Sequence, residues 1–295
     1  MQAAKKSVKL PFQNSLSYAI ITPNMNNTLI AILAAASYLA SGLIIGLRLF
    51  GNNFELRLPR QSGIALGLAG VALHSLVLYQ TLFTDSGLNL GLFNAASLAA
   101  WIIVLTLMLS AISKPVENLG IMLLPLSAVA LILELIFPTT YIFDPASPWG
   151  LRVHAVVSLM AYSLFTMAAV QAGLLAIQDR HLHNRHPGGF VRALPPLQTM
   201  EALLFEMIII GFILLSIGLL SGFMFLENMF SQHLAHKTVL SIASWLVFST
   251  LLWGRFRFGW RGRTAIRWTL SGFVALMLAY FGSKAVVELV LAGSQ

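Results

Sequence analysis

Of the seven histidines in this chain, three stand where an imidazole could do chemistry. His154 and His236 each open an apolar run and each has a cation beside it, Arg152 two residues before the first and Lys237 directly after the second. Two imidazoles at similar depth on two helices could take the axial positions of a haem iron held edge-on between them. Arg152 would then grip a haem propionate with its forked guanidinium, and Lys237 would face one as a point charge. The same four residues also suit helix ends at a water–lipid boundary, where long polar side chains hydrogen-bond and reach toward water. His74 is different, because it lies well inside an apolar run, where ionisable groups are costly and often functional. Hydrogen-bonded to another helix, a neutral His74 would be structural; otherwise it could touch a haem or a quinone.

Other polar groups point less clearly to a site. Asp179, His181, His183 and His186 crowd one loop, but their spacing is irregular and a solvated basic loop accounts for them better than a metal site. Glu134 and Glu206 sit near the ends of apolar runs, and spacing assigns neither a partner. With no cysteine in the chain, disulfides, thiolate metal sites, iron–sulfur clusters and covalent haem attachment are excluded, and any cofactor must rely on His, Met, Tyr or carboxylate. No set of residues forms a catalytic constellation, so a binding role is expected in place of an enzymatic one.

The elements that must position these residues are membrane helices. Apolar residues make up 58% of the 295 and charged residues 9%, so water cannot be the solvent for most of the surface. About 20 mainly apolar residues span the hydrocarbon. Eight stretches qualify, at roughly 27 to 49, 63 to 83, 91 to 112, 119 to 137, 152 to 177, 203 to 226, 237 to 254 and 266 to 290. The fourth is short and carries Pro125 and Glu134. Gly63, Gly67 and Gly70 in the second would weaken a soluble helix, but in a bilayer they let neighbours approach closely. The expected fold is therefore an all-α polytopic membrane helix bundle. It divides into a tail (1–26), an N-terminal four-helix part (27–137) and a C-terminal four-helix part (138–295).

The net charge of +8 would suggest a nucleic-acid partner in a soluble protein. Here Lys and Arg fall in short segments between apolar runs and act as topology signals, so no nucleic acid is expected. Twelve of them, from Arg48 to Arg267, fall on one side of the eight spans, which makes that side cytoplasmic and puts both termini outside. Lys5, Lys6 and Lys9 disagree with this assignment, and translation starting at Met25 would remove the conflict. The basic run from Arg255 to Arg267 fixes orientation and meets anionic head groups. The loop from Phe137 to Gly150, rich in aromatics and proline, suits either an interfacial belt or a stiff lid.

Three segments carry a resemblance. Trp149-Gly-Leu-Arg-Val-His154 with the Gln-Asp-Arg helix end at 178–180 is similar to the helix of CcsA-type cytochrome c assembly membrane proteins that bears an outer haem-ligand histidine. Gly211-Phe212 through Ser221-Gly222 resembles the helix that leads into that family's tryptophan-rich haem loop. Gly259-Trp260-Arg261-Gly262-Arg263, before a helix with Gly272-Phe273, resembles the turn before its last helix. The chain departs from the pattern where the tryptophan-rich loop belongs: Phe225 to Thr238 contains no tryptophan. Val287 to Gln295 supplies no second outer histidine, and Trp253 stands where a membrane histidine is usual. On these grounds it resembles the HemX/YpjD-like branch of the CcsA/CcmC-type family.

The resemblance implies a bacterial inner-membrane protein that binds haem b non-covalently near the outer face, between the fifth and seventh helices, in haem handling or cytochrome c assembly. His154 transfers directly, and His236 would substitute as second ligand. Two other functions stay open. One is transport of a small solute or ion, drawing on Pro125, Glu134 and His74. The other is anchoring a membrane assembly-factor partner through the loops and small-residue helix faces.

Overall fold

A computed structural model describes residues 25–50, 59–84, 87–139, 142–143, 149–183, 194–225 and 232–282. The tail lysines, residues 140–141 and 144–148 of the loop after the fourth span, and residues 184–193, with His186, lie outside them. Eight helices follow one another: α1 (Met25–Phe50), α2 (Arg60–Leu82), α3 (Leu92–Ser113), α4 (Gly120–Ile136), α5 (Trp149–His183), α6 (Leu197–Phe225), α7 (Gln232–Phe258) and α8 (Gly262–Met277). All eight, with a 3-10 turn at Glu117–Leu119 lengthening α4 and a π turn at Leu278–Gly282 lengthening α8, are long and apolar enough to cross a membrane. Each matches one of the expected stretches. α5 runs on past its apolar core through Gln178, Asp179, Arg180 and His181, and α6 begins before its own with Gln198, Thr199 and Glu201, because such residues end a span without ending a helix.

The helices form two rings of four. In the first, α1 packs along α2 and α4, and α3 packs against α2 and α4. In the second, α5 packs against α6 and α8, and α7 against the same two. The rings meet where α3 lies on α5. Leu29, Ile32, Leu33, Leu220, Phe223 and Trp253 are among the apolar side chains left on the outside, as lipid contact requires. Small residues set the close approaches inside: a Cβ on Gly70 would strike the Tyr38 ring at 2.6 Å, and one on Gly67 would collide with Met108.

Pro125 leaves α4 continuous. One element was not anticipated from the sequence, a small antiparallel sheet of β1 (Phe83–Thr84), β2 (Gly87–Asn89) and β3 (Ile142–Phe143). Through it the aromatic loop after α4 is pinned across the α2–α3 hairpin, with Leu88 opposite Phe143. At the other end, the turn between α7 and α8 needs glycine twice, at Gly259 (φ 68°) and Gly262 (φ 53°). It tucks Trp260 back under Gly254, which has no side chain to obstruct it.

Candidate haem site in the second ring

The second ring is organised around two phenylalanines. Phe165 of α5 and Phe248 of α7 are fully buried and stack with centroids 3.9 Å apart and planes 16° apart. Glycines on the other two helices make room for them. A Cβ on Gly211 of α6 would lie 3.2 Å from the Phe165 ring, and one on Gly272 of α8 would lie 2.8 Å from that of Phe248. Helices five and seven are therefore diagonal across the ring, touching through this stack instead of packing side by side.

Toward the start of α5 the ring becomes more polar. Trp245 Nε1 donates to Ser216 Oγ at 2.9 Å and stacks on Phe212, while Ser244 Oγ donates to the carbonyl of Gly272 at 2.9 Å. Tyr162 is ringed by Phe273 and Phe281.

His154 lies three turns from Phe165 in that direction. Its Nδ1 is 2.8 Å from the carbonyl oxygen of Gly218 on α6 and 3.2 Å from Ser221 Oγ. A carbonyl can only accept, so Nδ1 carries the proton and Nε2 keeps the lone pair. That is the tautomer a metal-ligating histidine needs, with the second nitrogen oriented by a backbone carbonyl. Gly218 eases the contact because it is small: a Cβ there would sit 3.1 Å from Ser158 Oγ, so a larger residue would require the Ser158 hydroxyl to give by a few tenths of an ångström.

His236 belongs to α7, but its side chain lies outside the described residues. Its level follows from the backbone. Counting from the stacked pair, His154 is eleven residues toward the start of α5 and His236 twelve toward the start of α7. At 1.5 Å per residue both stand about 16–18 Å from the stack. Arg152 is exposed and Lys237 half-buried on the same two helices, and both already interact with other groups of the protein.

His74 is not part of this ring. It is fully buried in the first, with Nδ1 3.1 Å from Tyr38 Oη and Nε2 2.8 Å from Ser97 Oγ, so it ties α2 to α1 and α3. Glu134 of α4 is also buried, near Ser97 and Thr81, and among the described residues neither of its carboxylate oxygens has a hydrogen-bond partner. A polar file is thus hydrogen-bonded from Tyr38 through His74 to Ser97, with Glu134 of the fourth helix buried beside it, a grouping that spacing could not reveal.

The end of the bundle opposite His154 is held by ion pairs. Buried Glu201 accepts from Arg255 Nη1 at 2.8 Å and Arg261 Nε at 3.0 Å. Glu117 takes the Arg60 guanidinium through both oxygens, at 2.9 and 3.0 Å, with Arg48 at 3.6 Å. Lys114 pairs with Glu206, joining α3 to α6. Asp179 accepts from Arg263 Nε at 3.0 Å, and His181 Nδ1 turns to the carbonyl of Ile177. Asp179, His181 and His183 thus lie on the last turns of α5 and not in a loop, the first two are turned to other partners, and among the described residues no three metal-ligating groups converge.

The family model described as cytochrome C assembly protein matches residues 63–291, which takes in the whole second ring and most of the first. The inner membrane protein YpjD of Escherichia coli (strain K12) is 34% identical over 266 residues, covering 88% of this chain and 98% of the relative. A 28.8 kDa protein of Azospirillum brasilense is 32% identical over 66% of this chain and 76% of its own length. The cytochrome c biogenesis protein CcsA of Gloeothece citriformis matches only in part, 26% identical over 38% of this chain and 34% of the relative. No solved structure matches. The matched stretch holds His154, the glycines that admit the stacked phenylalanines and the double-glycine turn before α8, and over that length the chain belongs to the cytochrome c assembly protein family.

Proposed function

We propose that this chain is a multi-pass protein of the bacterial inner membrane that binds haem b non-covalently at the outer end of its second ring and serves haem handling in cytochrome c assembly. The observation that carries the proposal is the hydrogen bond from His154 Nδ1 to the Gly218 carbonyl, which leaves Nε2 as the ligating nitrogen. The donor chemistry fits: one imidazole is held in the metal-binding tautomer, a second histidine lies at matching level on the diagonal helix, and two cations stand close to both in the chain. His154 and His236 would hold the haem iron through their imidazoles, and Arg152 and Lys237 would meet the haem carboxylates. Haem bound there supplies an iron that can exchange one electron. The protein's own part is to hold His154 against α6 and to close the ring below with the Phe165–Phe248 stack. His74 would join a haem or quinone contact only by giving up its bond to Tyr38 or Ser97.

The test is an absorption spectrum of the purified protein, oxidised and reduced, with a haem-to-protein ratio for wild type, His154→Ala and His236→Ala. Near-stoichiometric haem in the wild type and its loss from both variants is the expected result. An unchanged ratio in the variants would sink the proposal.

A second function is favoured by the polar file of the first ring. Tyr38, His74 and Ser97 form a hydrogen-bonded series inside the membrane with the buried carboxyl of Glu134 near its Ser97 end, an arrangement of the kind ion or proton handling would need. Flux into proteoliposomes that disappears in His74→Ala, with haem absent, would select transport over haem handling.

A further inference from the structure

At the end of the bundle opposite His154, α5 and the start of α8 enclose a cleft of about 360 Å³ lined by Ala176, Asp179, Arg180, Arg263, Ile266 and Arg267. Its charge is unbalanced. Three guanidiniums share the space with one carboxylate, and that carboxylate is already taken up by Arg263 at 3.0 Å. Among the described residues, the ion pairs leave out both Arg180 and Arg267.

Depth and lining narrow what could fill it. α5 is 35 residues long, about 52 Å, against a hydrocarbon core of roughly 30 Å, so its last turns stand at head-group level. Arg263 is the second residue of α8, at the same end. Ala176 and Ile266 give the cleft an apolar wall. A small soluble anion would use the guanidiniums and gain nothing from the apolar wall. A molecule with an anionic head and a hydrocarbon body would use both.

We propose that this cleft is a binding site for the phosphate-bearing head group of an anionic phospholipid. Arg180 and Arg267 grip the phosphate oxygens in the two-pronged geometry that guanidinium offers, and Asp179 holds Arg263 in place beside them. The acyl chains lie along Ala176 and Ile266. Basic clefts between membrane helices at this depth are where such head groups bind, with each Arg worth enough to change retention several-fold. The site lies at the far end from His154 and stands whether or not haem binds there.

Native mass spectrometry of the full chain, released from nanodiscs of mixed phosphatidylglycerol and phosphatidylethanolamine, tests this. The wild type is expected to retain phosphatidylglycerol over phosphatidylethanolamine by about tenfold. The double variant Arg180→Gln, Arg267→Gln should lose that preference, and Arg267→Gln alone, which leaves the Asp179–Arg263 pair untouched, should lose part of it. Asp179→Asn removes the one negative charge and should strengthen retention. Equal retention of the two lipids by wild type, or a preference unchanged in the Arg267→Gln protein, would overturn the proposal. So would retention of inorganic phosphate by lipid-free protein together with displacement of phosphatidylglycerol by millimolar phosphate, which would make this a site for a soluble anion.

Discussion

His154 Nδ1 stands 2.8 Å from the carbonyl oxygen of Gly218, and this one bond both fastens α5 to α6 and decides which ring nitrogen keeps its lone pair. Structural and ligating roles of the histidine are therefore separable by substitution. His154→Asn places an amide N–H close to where Nδ1 was and should preserve the bond to Gly218 while offering no ligand to iron. Its melting temperature in detergent should stay near that of wild type while bound haem falls. His154→Ala should lose haem and also about 0.5–1.5 kcal/mol of stability. Full haem content in the Asn variant would refute ligation by His154.

The Phe165–Phe248 stack makes the largest packing contribution to be expected at one point of the second ring. Truncating either ring to Ala should cost about 3–5 kcal/mol, since Gly211 and Gly272 have no side chain with which to fill the hole. A double-mutant cycle should return a coupling of about 0.5–1.5 kcal/mol, measured by reversible unfolding in micelles. Additive losses would mean that the rings do not meet.

Glu201 is 5% exposed and is shared by Arg255 and Arg261, whose exposures are 25% and 60%. Glu201→Gln leaves Arg255 without its counter-charge, over the Phe205 ring and with the Trp260 carbonyl as its remaining charge-free acceptor beside the new amide. The expected cost is about 3 kcal/mol, at the low end for a broken buried pair because Arg261 can turn to water. Thermal unfolding checks it, and Arg261→Gln should cost far less than Glu201→Gln.

His74→Ala deletes a buried imidazole that bonds two partners, leaving the Tyr38 and Ser97 hydroxyls without those bonds. A loss of about 2–4 kcal/mol is expected, with the haem-to-protein ratio unchanged. If haem falls together with stability in His74→Ala but not in an equally destabilised Phe165→Ala protein, the imidazole takes part in haem binding after all.

Hydropathy made the spans legible, because the bilayer imposes the same length and composition on each of them. It also placed His154 near a helix start and His74 deep within one. What it could not carry is neighbourhood. That α5 and α7 are diagonal depends on Gly211 and Gly272, whose value lies in what they admit from other helices. The pairing of Glu206 with Lys114, and of Asp179 with Arg263, joins residues 92 and 84 positions apart. The β-sheet escaped because its strands are two or three residues long, too short for alternation to register.

The two-ring arrangement bears on how the chain is made. Each ring contains an even number of spans, so the chain enters and leaves it on the same side of the bilayer. Each helix of the first ring finds its main neighbours among the four spans that are made before α5. Tyr38 and Ser97 can enclose His74 before α5 exists, whereas His154 must wait for Gly218, more than sixty residues later, before its ring is fixed. The half with the buried polar file can thus finish packing during synthesis, and the half with His154 is completed only after Gly272 of the last span has come to rest on Phe248.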